Sequence, residues 1–144
     1  MSALSVTAAE VLPGTTNADF YTGTAGATLT AGMSVYLDST TNTVKGADAD
    51  ASLAASAAIG IALHAALAGQ PIRVQIAGEI TIGATAAMTV GTIYVVGAAA
   101  GAIAPAADAE AASTWYVTVL GIARTAAILR MPTSGPFTAG VINP

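Results

Sequence analysis

The sequence has no cysteine, one histidine, one lysine and three arginines among its 144 residues. Without cysteine there is no disulfide framework, no thiolate zinc site and no cysteine nucleophile. The single histidine, His64, excludes a multi-histidine metal site. Four cations cannot neutralise a phosphate backbone, so general nucleic-acid binding is excluded. No basic amphipathic stretch suits a membrane surface. Charged residues make up only 8% of the chain and leave a net charge of −4, where an ordinary soluble domain carries about 25%. The first residues show neither the basic region nor the long apolar core of a secretory signal. Residues 80–107 carry no charge, but Gly83, Gly91, Gly97, Gly101 and Pro105 interrupt them, so no spanning helix is expected there.

What is present is small and branched. Of the 54% hydrophobic residues, 36 are Ala, and the larger apolar types occupy 42 positions. There are 19 Thr and 15 Gly. Val and Ile gather in short segments between Gly, Pro, Asn and Asp, which is the pattern of an all-β chain. Strands are predicted over residues 33–37, 59–64, 72–76, 79–82, 92–96, 115–123 and 126–131, with a weaker one at 4–8. Ala77-Gly78 reads as a tight hairpin between the third and fourth of these. Two Ala-rich stretches with acids near their starts, 48–57 and 106–112, read as short helical turns or loops.

An internal repeat organises the chain. Leu29-Thr-Ala-Gly32 returns as Met88-Thr-Val-Gly91, and Val35-Tyr-Leu37 as Ile93-Tyr-Val95. Val44 matches Ile103, Gly60-Ile-Ala62 matches Gly121-Ile-Ala123, and Ile72-Arg-Val74 loosely matches Ile128-Leu-Arg130. The fold class expected is therefore a small barrel or sandwich of two similar β units, 29–87 and 88–131. Residues 1–28 read as an extended N-terminal arm and 132–144 as an irregular tail. A unit of a few short strands buries its own face poorly, so the two are expected to pack as one domain.

Residues with chemical capability form no recognisable site. His64 lacks a nucleophile-elbow serine near it in sequence, with Ser52 and Ser56 upstream in unrelated contexts. Asp48-Ala-Asp50 lacks the later ligands of a calcium loop, and Asp108-Ala-Glu110 is similar. Glu79 has no carboxylate partner fixed by the sequence. Gly97-Ala-Ala-Ala-Gly101 lacks the ending of a phosphate loop. Trp115, Tyr116, Tyr36 and Tyr94 sit in predicted strands and read as core or interface residues. No catalytic residue, cofactor or metal is expected. A surface with so few charges suits burial against other chains, which points to an oligomer or a component of a larger assembly.

The ordered motifs carry a resemblance. Thr24-Ala-Gly-Ala-Thr-Leu-Thr-Ala-Gly-Met-Ser-Val-Tyr36 resembles the opening block of the head decoration, or capsid cement, proteins of tailed bacteriophages. Gly60-Ile-Ala-Leu-His64 with Gly69-Gln-Pro71 is similar to their central block, and Gly78-Glu-Ile-Thr-Ile-Gly83, Gly101-Ala-Ile-Ala-Pro105 with Asp108, and Val117-Thr-Val-Leu-Gly-Ile-Ala123 are similar to those that follow. The resemblance implies a non-enzymatic structural protein on the outer surface of an icosahedral virion, made in the host cytoplasm. Its partners would be the major capsid protein and itself, as a homotrimer clamping neighbouring shell subunits, with no nucleic acid and no membrane. On this reading, Leu4, Val6, Val11, Leu12 and Phe20 of the arm are the expected shell contacts. Val35, Leu37, Trp115 and Val117 are the expected oligomer seam. A tail, collar or fibre-base component, and a carbohydrate-binding β module using Trp115, are the alternatives.

Overall fold

The computed structural model describes residues 3–111, 114–132 and 136–142. It is mostly β. In chain order the strands are β1 (Asp19–Thr24), β2 (Ser34–Asp38), β3 (Thr43–Gly46), β4 (Gly60–Ala62), β5 (Pro71–Thr81), β6 (Ile93–Val96), β7 (Ile103–Pro105), β8 (Tyr116–Ala123), β9 (Ile128–Met131) and β10 (Phe137–Ile142). Two short helices, α1 (Leu53–Ser56) and α2 (Ala106–Ala111), fall between β3 and β4 and between β7 and β8. Ser52 caps α1, its side chain accepting from Ala55 N–H, which satisfies one of the free amides of the first turn.

The strands form one curled antiparallel sheet in the order β3-β2-β4-β5-β9-β8-β6-β7. This order contains the repeat. The first unit runs β3-β2-β4-β5, the second runs β7-β6-β8-β9, and the two join where β5 pairs with β9. Registers repeat as well as order. Val35 pairs with Gly46 and Gly60 in the first unit, and Tyr94 pairs with Pro105 and Gly121 in the second. Ile61 faces Gln75 as Ile122 faces Arg130, and Ala62 faces Val74 as Ala123 faces Leu129. The true counterpart of Val35 is thus Tyr94, one residue beyond the match made on sequence.

The glycines of the repeated Gly-Ile-Ala triplet share one cause. A Cβ on Gly60 would lie 2.1 Å from the carbonyl oxygen of Gln75. A Cβ on Gly121 would lie 2.3 Å from the carbonyl oxygen of Arg130. Gln75 and Arg130 are themselves counterparts, so each unit brings the same backbone up to the same bare Cα.

Each unit has its own inner core. Val35, Val44, Ile72 and Val74 pack in the first, with Ala25, Leu29, Ala62 and Ala66. An isolated parallel bridge from Ala25 to Val44 brings the end of β1 against β3 and curls this half closed. Tyr94, Val96, Ile103 and Leu129 fill the equivalent space in the second unit. The second cluster also takes in Ala31, Ala47, Ala49, Ala58 and Ile61 from the back of the first unit. The units are therefore stacked front to back.

Four expectations need correction. Ala77-Gly78 is no hairpin: β5 runs unbroken from Pro71 to Thr81, exchanging β4 and β1 for β9 as neighbours near Gly78. Gly78 has φ +84, and a Cβ there would meet Asn17 O at 2.5 Å, so glycine serves a change of partner here. Residues 4–8 form no strand; Leu4 N–H makes a single bond to Ile103 O, and Ala8–Glu10 is a 3-10 turn. The tail contains β10, paired with the first half of β8. The arm is not separate from the domain, because β1 pairs along β5 and Leu12 bridges Thr81. Position 112 of the expected second helix, and positions 133–135 and 143–144 of the tail, lie outside the described residues.

Candidate interaction surface

The groups with catalytic capability are occupied locally. His64 Nδ1 meets Ala65 O at 2.9 Å, and its Nε2 accepts from Arg73 N–H at 3.1 Å. Ser56 Oγ donates to Leu53 O inside α1. Asp48 Oδ1 accepts from Asp50 N–H, and Asp50 Oδ1 from Thr114 Oγ1. Glu79 is held by Arg124, with Oε2 2.8 Å from Nε. Among the described residues, no three or more His, Asp or Glu side chains converge as metal ligands. No helix among them is long and apolar enough to cross a membrane.

The expected shell-contact residues divide. Val11 is buried in the second core, where it cannot touch a shell protein. Leu4 and Val6 are half-buried and pack against that core. Phe20 carries Arg73 over its ring at 4.2 Å. Of the five, only Leu12 is exposed, at 57%. Glu10 fixes the same segment from the polar side, its carboxylate accepting from both the backbone N–H and Oγ1 of Thr85. These two bonds hold the Glu10 carboxyl below its ordinary range. Gly14 N–H donates to the buried Gln75 at 2.9 Å. Deleting residues 2–20 would therefore strip the fold of structural contacts and could not leave the rest unchanged.

The expected seam divides too. Val35 is wholly enclosed in the first core and presents nothing to a second copy. Leu37 and Trp115 are half-buried against the first and second cores respectively, and Val117 is half-buried on β8. Trp115 is thus a packing residue with one partly open face, lining a shallow depression with Gly97, Ala99 and Asp108.

A surface that sequence matching missed emerges from the repeated register. In the first unit, Ser34, Ile61 and Gln75 lie side by side across β2, β4 and β5, and all three are fully buried. Ser34 Oγ donates to Ala102 O at 2.8 Å, and Ser34 N–H to Gly101 O. Gln75 accepts from Gly14 N–H and donates to Ala77 O and Glu79 O. In the second unit, the counterparts Ile93, Ile122 and Arg130 lie side by side across β6, β8 and β9, all exposed. They border an apolar groove of about 280 Å³, completed by Val119, Met131 and Pro132 and rimmed by Glu79. The signal was available once the repeat was aligned: Ser34 and Ala58 of the first unit become Ile93 and Val119 in the second.

Compared with protein-family models and with curated proteins, the chain matches none.

Proposed function

We propose that the chain is a structural virion protein that binds the outside of an icosahedral phage shell and clamps neighbouring major capsid subunits, acting as a homotrimer. The observation that carries this reading is the ordered run of glycine-based blocks from Thr24 to Val117–Ala123 that resembles the capsid cement proteins. Several features support it. The first block contains the turn at Gly32, whose positive φ recurs at Gly91, its counterpart in the repeat. The scarcity of charge leaves a surface of Ala, Thr and branched residues that gains by burial. A two-core β body is a stiff clamp, and many copies, each making modest contacts, hold a shell together by summed avidity. One lysine, three arginines and no thiols suit a protein exposed to proteases and oxidants.

The test is saturable binding. Purified chain is mixed with shells assembled without it, and the shells are sedimented and heated. Saturable co-sedimentation with a raised temperature of shell disruption is the expected result. Chain that stays in the supernatant at every concentration contradicts the reading.

A further inference from the structure

The first unit's outer face is covered by the chain itself, whereas at the same face of the second unit Ile93 and Ile122 stay exposed among the described residues. Ile61 lies in one buried cluster with Val96, Ile103 and Leu120 of the second unit. Gly101 is inserted beside it, donating to Ala47 O and accepting from Ser34 N–H. At the equivalent places in the second unit stand Ile93 at 42% exposure and Ile122 at 47%, directly opposite each other across β6 and β8. Directly opposed β residues support each other across the pair, yet here both keep much of their surface in water. Solvent exposure would favour polar residues at these positions. The chain instead places larger apolar groups there than at some of the covered ones, with Ile93 where the first unit has Ser34 and Val119 where it has Ala58.

We infer that this face, formed by Ile93, Ile122 and Val119 with Arg130 at its edge, docks on a second copy of this chain. Two observations choose that occupant. The face continues, by the repeat, an interface that the chain already makes with its own second unit. Its charge also suits a copy: Arg130 stands at the rim, one of only four cations in a chain of net charge −4, while Arg124 beside it is already paired with Glu79. Arg130 makes no ion pair among the described residues, so it is available to an incoming acidic surface. The inference deepens the reading above, on which it rests for the expectation that the chain acts in several copies.

The experiment uses purified chain with no shells present. Sedimentation equilibrium compares the wild type with Ile93→Asp, Ile122→Asp and Arg130→Glu, and with Leu67→Asp as a control on an exposed leucine elsewhere. The wild type and the control are expected to associate. The two Asp variants are expected to weaken association by about a hundredfold or more, with their circular dichroism retained. If the Asp variants misfold, Arg130→Glu decides: weakened association supports the inference and unchanged association overturns it. A wild type that remains monomeric at its highest soluble concentration also overturns it, as do folded Asp variants that associate normally. A monomeric chain whose Asp variants lose shell binding would give the face to the shell protein and overturn it likewise. A chain that associates through this face yet ignores shells would keep the inference and remove the decoration reading.

Discussion

Ile61 and Ile122 hold the same position in the two β units and meet opposite surroundings: Ile61 is completely enclosed, and Ile122 is 47% exposed. Each follows a glycine on which the facing strand's carbonyl closes, and each is paired with a counterpart residue on the next strand. The asymmetry comes from stacking like units front to back. One outer face is used internally and one is left over.

Truncation at the two positions should therefore separate. Ile61→Ala is expected to cost about 2–5 kcal/mol, the range for removing a buried branched side chain. Ile122→Ala is expected to cost under about 1 kcal/mol in the isolated chain. Denaturant unfolding at low chain concentration checks both. Equal losses would contradict the exposure difference.

Gly60→Ala and Gly121→Ala are expected to destabilise alike, by about 1–3 kcal/mol, because each added methyl meets a backbone carbonyl that cannot rotate away. Gly69→Ala is a useful contrast. Nothing lies within 4 Å of its Cβ position, so its cost would come only from the positive φ of +90. Thermal midpoints of the three variants give the comparison.

Gln75→Leu keeps much of the side-chain volume but removes the acceptor for Gly14 N–H and the donor to Ala77 O and Glu79 O. Leaving such groups unpaired in a closed site is expected to cost about 1–3 kcal/mol. It should also loosen residues 11–17 first. Hydrogen exchange at Gly14 and its neighbours, read beside the global stability, tests that order of events.

The Glu10 contact gives a pH dependence. Thr85 bonds to the carboxylate, through its side chain first and its backbone second, and lowers the Glu10 pKa from its ordinary 4.5. The folded state thus binds the proton less readily than the unfolded state, and the contact's contribution is fully present above that ordinary value. It is lost as pH falls through the lowered one. Glu10→Gln should be less stable than the wild type at neutral pH, with the gap closing in acid. A gap that does not change with pH would contradict the contact.

Much of the architecture was legible in the residues, because branched runs between glycines repeat at a nearly constant spacing. The exact register was not. Val35-Tyr-Leu37 and Ile93-Tyr-Val95 match best by type, yet Val35 corresponds to Tyr94, because pairing to Gly60 and Gly121 sets the strands. A one-residue slip exchanges the faces of a strand, and that slip concealed the Ile93–Ile122 surface. Ala77-Gly78 looked like a hairpin because a positive-φ glycine also serves a strand that changes neighbours. The N-terminal segment carries few large apolar residues, so nothing periodic marked Val11 as core or Gly14 as a hydrogen-bond donor to Gln75. Of the proposed contact residues, Leu12 keeps the exposure that its role requires, and Val35 and Val11 do not.

The most direct test of the decoration reading is a count. Particles purified from the source lysate are analysed for the ratio of this chain to the major shell protein. About one copy per shell subunit is expected, as trimers at most three-fold and quasi-three-fold positions require. A ratio of a few per cent or less would contradict it and place the chain in the tail or collar, or off the particle.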